Sequence, residues 1–157
     1  MVDKIVFCKL DQPYGEFSNF YHCSMIINNK EYSSVEHYYQ SKKFNNTKFE
    51  EVVRCQSTPM KAKQLAYSDE AKQYFISSWE NNKLLVMGKA LNHKFKIERF
   101  RNLLLSTGTA ELVEYSDKDY YWGRGKDGAG ANMLGKLLME LREKIKIEEE
   151  KKNKFIS

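Results

Sequence analysis

The chain's hydrophobic spacing changes repeatedly along its first half. Residues 4–10 alternate around Ile5, Val6 and Phe7, which is the period of a strand. Residues 23–27 and 30–32 flank Asn28-Asn29, a pair that tolerates the positive φ of a tight turn, so they predict a hairpin. From there the period becomes helical. Ser33 or Ser34 caps a helix running to about residue 44. Further helices are expected over 48–54, over 59–66 with Pro59 in the first turn, and over 69–79, where Trp79 closes the helix. Two more are expected over 81–94 and 98–105, the latter stopping before Thr107-Gly108. Residues 111–115 predict a short strand. The clearest amphipathic pattern, Leu134, Leu137, Leu138, Leu141 and Ile145, predicts a helix from about 132 to 148. No repeat or internal linker interrupts this order. The pattern predicts an α+β fold: a mostly helical single domain over 1–147 with a small antiparallel sheet. A charged tail, 148–157, reads as solvated and frayed around Lys151-Lys152-Asn153-Lys154.

Composition narrows the setting. At 157 residues the chain suits one domain with a real core. No run of about 18 apolar residues is present and the N-terminus lacks a signal peptide's apolar stretch, so the expectation is a cytoplasmic protein with no membrane association. Cys8, Cys23 and Cys55 are odd in number, and neither they nor His22, His37 and His93 show metal-ligand spacing. No metal and no cofactor are expected. The net charge of +5 suits an anionic ligand and is compatible with nucleic acid.

Two segments carry candidate chemistry. The first is Asp119-Tyr-Tyr-Trp122-Gly123-Arg-Gly125-Lys-Asp-Gly128-Ala-Gly-Ala-Asn132, a glycine-rich loop that leads into the last helix. Glycines let a ligand approach backbone N–H groups, and a helix start presents its positive dipole end there. Arg124 and Lys126 add like charge, so the loop is read as a phosphate cradle with Asp119 and Trp122 at its edge. The Gly-x-Gly-x-x-Gly string is not a dinucleotide fingerprint, because no βαβ unit follows it. A plain surface loop is the competing reading. The second segment is Glu36-His37-Tyr38-Tyr39-Gln40-Ser41-Lys42-Lys43. At about 100° per residue, Glu36, Gln40 and Lys43 fall on one helical stripe, beside a more apolar face with Tyr38 and Tyr39. An acid, an amide and an amine on one stripe can line a polar pocket. Against this stand a Ser33–Glu36 capping box and an ordinary solvated face. Ser18, Asn19 and Phe20, on a loop between aromatics, suit contacts to a sugar or base, or local self-bonding.

Taken together these segments resemble the YbiA-like proteins of the NADAR superfamily over roughly residues 10–147. The resemblance rests on Tyr14-Gly15-Glu16-Phe17-Ser18-Asn19-Phe20, Glu36-His37-x-x-Gln40-x-x-Lys43-Phe44, Ser78-Trp79-Glu80, Asp119-Tyr120-Tyr121-Trp122-Gly123 and Asn132-Met133-Leu134-Gly135, in that order. It implies an N-glycosidase that cuts the C–N bond at the anomeric carbon of a phosphorylated ribose. Ribosylamino-pyrimidine phosphates, early riboflavin intermediates, are one implied substrate class. ADP-ribose on guanine is the alternative, and nucleic acid becomes a partner only in that case. A non-catalytic ADP-ribose- or NAD-binding module is the reading from another class. Carried over by position, Glu36, Lys43 and Asp119 become catalytic, with Lys43 a Schiff-base candidate. Ser18, Asn19, Phe20, His37, Gln40, Trp79, Trp122, Gly123, Gly125, Gly128 and Asn132 become substrate-binding. Relatives often carry Gly-Arg and further basic residues where this chain reads Ala66-Tyr67-Ser68-Asp69-Glu70, so any phosphate contact from those arginines must come from other cations here.

Overall fold

A computed structural model describes residues 3–156. In chain order the elements are β1 (Lys4–Phe7), β2 (Met25–Ile27), β3 (Lys30–Tyr32), α1 (Val35–Lys42), α2 (Lys48–Arg54), α3 (Pro59–Ala66), α4 (Trp79–Lys94), α5 (Glu98–Ser106), β4 (Glu111–Glu114) and α6 (Met133–Ile156). Short 3-10 turns lie at Gly15–Phe17 and Glu70–Tyr74. Among the described residues the architecture is α+β, with six helices and two small strand pairs. Among the described residues no helix is long and apolar enough to cross a membrane. The chain groups into two compact units, one of Asn19–Lys94 and one joining the chain through Ser18 to the chain from Phe95 onward.

In the central unit the expected hairpin is present. β2 and β3 pair antiparallel, Met25 with Tyr32 and Ile27 with Lys30, and Asn28 and Asn29 both take positive φ. α1 packs against α2, α3 and α4. Every residue from Val35 to Ser41 is buried, so this helix has no solvated face, and its polar side chains must find partners inside the unit. Phe44, Phe49, Val53, Ala62 and Ala71 form the hydrophobic cluster beneath α2 and α3. The helix expected over 69–79 shrinks to the turn Glu70–Tyr74, and Trp79 opens α4 instead of closing a helix. Phe75 is extended, and the Ser78 carbonyl accepts the N–H groups of Asn81 and Asn82, which starts α4 there.

In the other unit β1 and β4 pair parallel, Ile5 beside Leu112 and Phe7 beside Glu114. This second pair joins strands from opposite ends of the chain. The rings of Phe7, Phe17, Phe95 and Phe100 touch in succession. Buried Arg142 of α6 donates to Thr107 Oγ1 and the Ala110 carbonyl, which ties α6 to the turn between α5 and β4. α6 continues as helix through 156, where a frayed tail was expected. Glu148 and Glu150 each precede a lysine by four residues, and the lysines lie at the end that a helix dipole favours.

Candidate functional site

The start of α1 fixes what Glu36 is free to do. Ser34 is the N-cap, and its Oγ accepts the His37 N–H at 3.1 Å. Glu36 is then the second helical residue, so the Ser33–Glu36 capping box does not form. Its N–H donates to the Asn19 carbonyl at 3.0 Å, and its carboxylate accepts from Gln40 Nε2 at 2.6 Å. Both residues are buried. Gln40 Oε1 and Asn19 Oδ1, also buried, have no hydrogen-bond partner among the described residues. Asn19 Nδ2 reaches the Met87 sulfur at 3.5 Å. Two unpaired amide oxygens beside a carboxylate are acceptors held ready for donor groups, because buried polar atoms are otherwise satisfied.

Lys43 closes the stripe one turn further on. Its backbone is fixed at both ends, with the N–H on the Gln40 carbonyl and the carbonyl receiving the Ile76 N–H. Its side chain is 5% exposed. Nζ lies 4.3 Å from the Tyr67 ring centroid, 5.4 Å from that of Tyr39 and 6.0 Å from that of Trp79. Burial lowers the Lys43 pKa to about 8, the Glu36 carboxylate pulls the other way, and Lys63 adds to the lowering by repulsion. Tyr39 and buried Trp79 meet edge to face at 5.0 Å. Lys63 also lies over the Phe20 ring at 5.8 Å. Glu36, Gln40, Lys43, Trp79, Asn19 and Phe20 therefore all belong to the central unit. Tyr67 and Lys63 are additions that sequence spacing did not single out, because their distance in the chain hides them.

His37, expected to contact substrate, is engaged on both sides. Nε2 donates to the Gln56 carbonyl at 2.8 Å, so Nδ1 is the acceptor for the Ser34 hydroxyl, also at 2.8 Å. Burial lowers its pKa, partly offset by the Gln56 carbonyl. It pins the start of α1 and presents no polar nitrogen to a ligand. Lys94, the second buried lysine, lies near Cys23, whose thiol is pushed up by burial and partly drawn back by the Lys94 charge.

Asp119 and the glycine loop lie in the other unit, as does Ser18, which caps the turn Gly15–Phe17. Asp119 Oδ1 accepts the N–H groups of Tyr121 and Trp122 at 3.0 and 2.8 Å, and Oδ2 has no hydrogen bond among the described residues. Trp122 is buried and meets Tyr121 edge to face. The loop is not the open cradle its glycines suggested. Each N–H from Gly128 to Leu134 is already bonded to a loop carbonyl or to Asp127, including the first two of α6, which meet the carbonyls of Tyr121 and Trp122. Asn132 is likewise engaged. Its side chain donates to the Leu112 carbonyl and accepts the Glu114 N–H, extending the edge of β4. Gly130 is required sterically, since a Cβ would lie 2.5 Å from the Gly123 carbonyl oxygen. Gly125 and Gly128 hold positive φ. Among what the loop still offers an anion are Arg124, which lies over the Tyr115 ring with its Nε buried and unpaired among the described residues, and exposed Lys126.

Against known proteins, residues 6–146 match the NADAR domain model. The chain is 43% identical over 150 residues to the N-glycosidase YbiA of Escherichia coli, covering 94% of this chain and 92% of that one. It is 38% identical to an N-glycosidase of Nostoc punctiforme, covering 90% and 92%. It is 36% identical to a riboflavin biosynthesis protein of Vibrio vulnificus, of whose length it spans 39%. The solution structure of the E. coli protein YbiA superposes with a TM-score of 0.85, over 95% of this chain and 89% of that one.

Proposed function

The chain belongs to the NADAR family, and on that premise we propose that it hydrolyses the C–N bond between the anomeric carbon of a phosphorylated ribose and a base or amine. The enzyme class, a hydrolase of N-glycosyl compounds, is that of its curated relatives. One observation carries the reading. Lys43 is buried within an aromatic surround, shares a stripe with Glu36 and Gln40, and holds its proton only to about pH 8. An amine in that state is a nucleophile near neutrality.

The proposed sequence begins with attack of the Lys43 amine on the anomeric carbon. The C–N bond breaks, and the departing base takes up a proton. Sugar-ring opening converts the adduct to an imine, and water then releases the ribose phosphate and returns the amine. The Glu36 carboxylate stabilises the cationic character that develops at the anomeric carbon. Gln40 holds that carboxylate, and the open oxygens of Gln40 and Asn19 accept sugar hydroxyls. Taken by itself, the other unit offers a second carboxylate oxygen, Asp119 Oδ2, and the cations Arg124 and Lys126 for a phosphate.

Ribosylamino-pyrimidine phosphates are the proposed substrate class, supported by the riboflavin-biosynthesis names of the V. vulnificus relative and of a Zea mays relative. Incubation with these compounds and with ADP-ribosylated guanosine, read by mass, tests the proposal. Release of ribose phosphate from the pyrimidine conjugates, abolished in Lys43→Ala, is the expected result. Release only of ADP-ribose would replace the substrate class. Release from neither would leave a binding module.

A further inference from the structure

Another side of α1 borders a cavity of about 330 Å³ that none of the catalytic candidates lines and that shares only Trp79 with the substrate-binding ones. On α1, Tyr38 and Lys42 lie about 100–160° round from Glu36, Gln40 and Lys43. On α4, Trp79, Asn82, Leu85, Val86 and Lys89 form one stripe, and Asn28 and Asn45 contribute from the turns before α1 and after it. All lining residues lie within the central unit.

The chemistry of the lining is one-sided. It includes two lysines and three asparagines and no carboxylate. Lys42 is held in place by buried Glu50 at 2.7 Å. Lys89 is exposed and has no ion pair among the described residues. The apolar part consists of Trp79, Tyr38, Ile76, Leu85 and Val86, with Leu85 76% exposed although it lines a cavity wall. Two lysines and three asparagine amides beside an apolar wall suit a small planar heterocycle that carries an anion, and the volume lies at the lower end for small-molecule sites.

We propose that this cavity is a second ligand site, distinct from the Glu36–Lys43 cluster, that takes a nucleoside monophosphate. The ring lies against Trp79 and the apolar wall, the asparagine amides bond its heteroatoms, and the phosphate meets Lys89 with Lys42 behind it. Trp79 is common to both sides, since its ring also lies 6.0 Å from Lys43 Nζ, so occupancy of the cavity is felt at the cluster.

The test is a titration of the isotope-labelled full chain with adenosine monophosphate, adenosine and inorganic phosphate, followed by two-dimensional NMR. Adenosine monophosphate is expected to shift the side-chain amides of Asn28, Asn45 and Asn82 saturably. Lys89→Glu and Lys89→Ala each weaken this binding about tenfold or more while turnover without the nucleotide is unchanged. Lys43→Ala leaves the binding intact, which separates this site from the proposed reaction. The proposal is overturned by no shift at millimolar nucleotide, by equally tight binding of adenosine, or by shifts that follow Glu36 and Lys43 and vanish in Lys43→Ala.

Discussion

A buried lysine is a statement about protons. Desolvation disfavours the ammonium of Lys43, and its pKa of about 8 leaves about a tenth of the amine uncharged at pH 7, against about one in three thousand at the ordinary value. Two pH dependences follow. The turnover rate should rise with pH and level off above an inflection near 8, and a flat profile from pH 6.5 to 9 would mean that no lysine proton controls the rate. For stability the sign runs the same way. Between pH 8 and about 10.5 the unfolded chain keeps a proton that the folded chain has released, so this residue's contribution to stability rises with pH across that window. Lys43→Met should remove that slope, read as urea midpoints of both proteins at pH 7 and 9.5. The choice between Lys43 and Lys94 is settled chemically. Borohydride added during turnover reduces an imine and fixes the sugar to the lysine that formed it, and peptide mapping should find the added mass on Lys43. Mass on Lys94 would move the nucleophile, and turnover by Lys43→Ala with no label anywhere would point to a carboxylate-and-water route.

Elements hold these residues by bonds that differ in cost. Ser34 caps α1 and also satisfies His37, so Ser34→Ala removes two bonds and should destabilise by about 1–2 kcal/mol in urea unfolding, with Ser34→Thr recovering most of it. In the glycine loop the two effects can be separated. A Cβ at Gly128 meets nothing within 4 Å, whereas one at Gly130 collides with backbone. Gly130→Ala should therefore lower the melting temperature sharply. Gly128→Val carries the strain of φ +80°, about 1–2 kcal/mol, and should raise KM by more than that strain accounts for if the loop meets phosphate. Equal losses in KM and stability would make Gly128 a residue of the fold alone. The same contrasts explain what the sequence made legible. The helical stripe Glu36–Gln40–Lys43, the Asn-Asn hairpin and the amphipathic helix α6 follow from local period, and the structure has them. The parallel β1–β4 pair, the hold of His37 on Gln56 and the hold of Asn132 on β4 all join residues distant in the chain, where no local pattern speaks. Glycine spacing misled for a related reason. It reports that a backbone can turn, and says nothing about which carbonyls its N–H groups will meet.

At the scale of the whole molecule, the formal charge of +5 is spread over a chain with 26 basic and 21 acidic residues, so it acts as a weak general field with local cationic points. Many of those points are already paired: Lys30 with Glu51, Lys42 with Glu50 and Lys72 with Asp69. Arg124 and Lys126 have no ion pair among the described residues and are the proposed phosphate contacts. A phosphate contact made by these two cations alone suits a small dianion, whereas a polyanion needs such points along its whole length. Screening decides between these uses. The Debye length falls from about 10 Å at 0.1 M salt to about 3 Å at 1 M, so exposed lysines lose their reach while buried contacts keep theirs. Raising salt from 50 to 500 mM should increase KM for a ribose phosphate conjugate by a few-fold and leave the turnover number unchanged. Retention on duplex DNA over the same range should be weak throughout, with a shallow slope of log affinity against log salt, near the one or two phosphates that Arg124 and Lys126 can neutralise. A slope several times steeper, with tight retention at low salt, would mean that this surface is built for nucleic acid and would favour ADP-ribosylated guanine as the substrate.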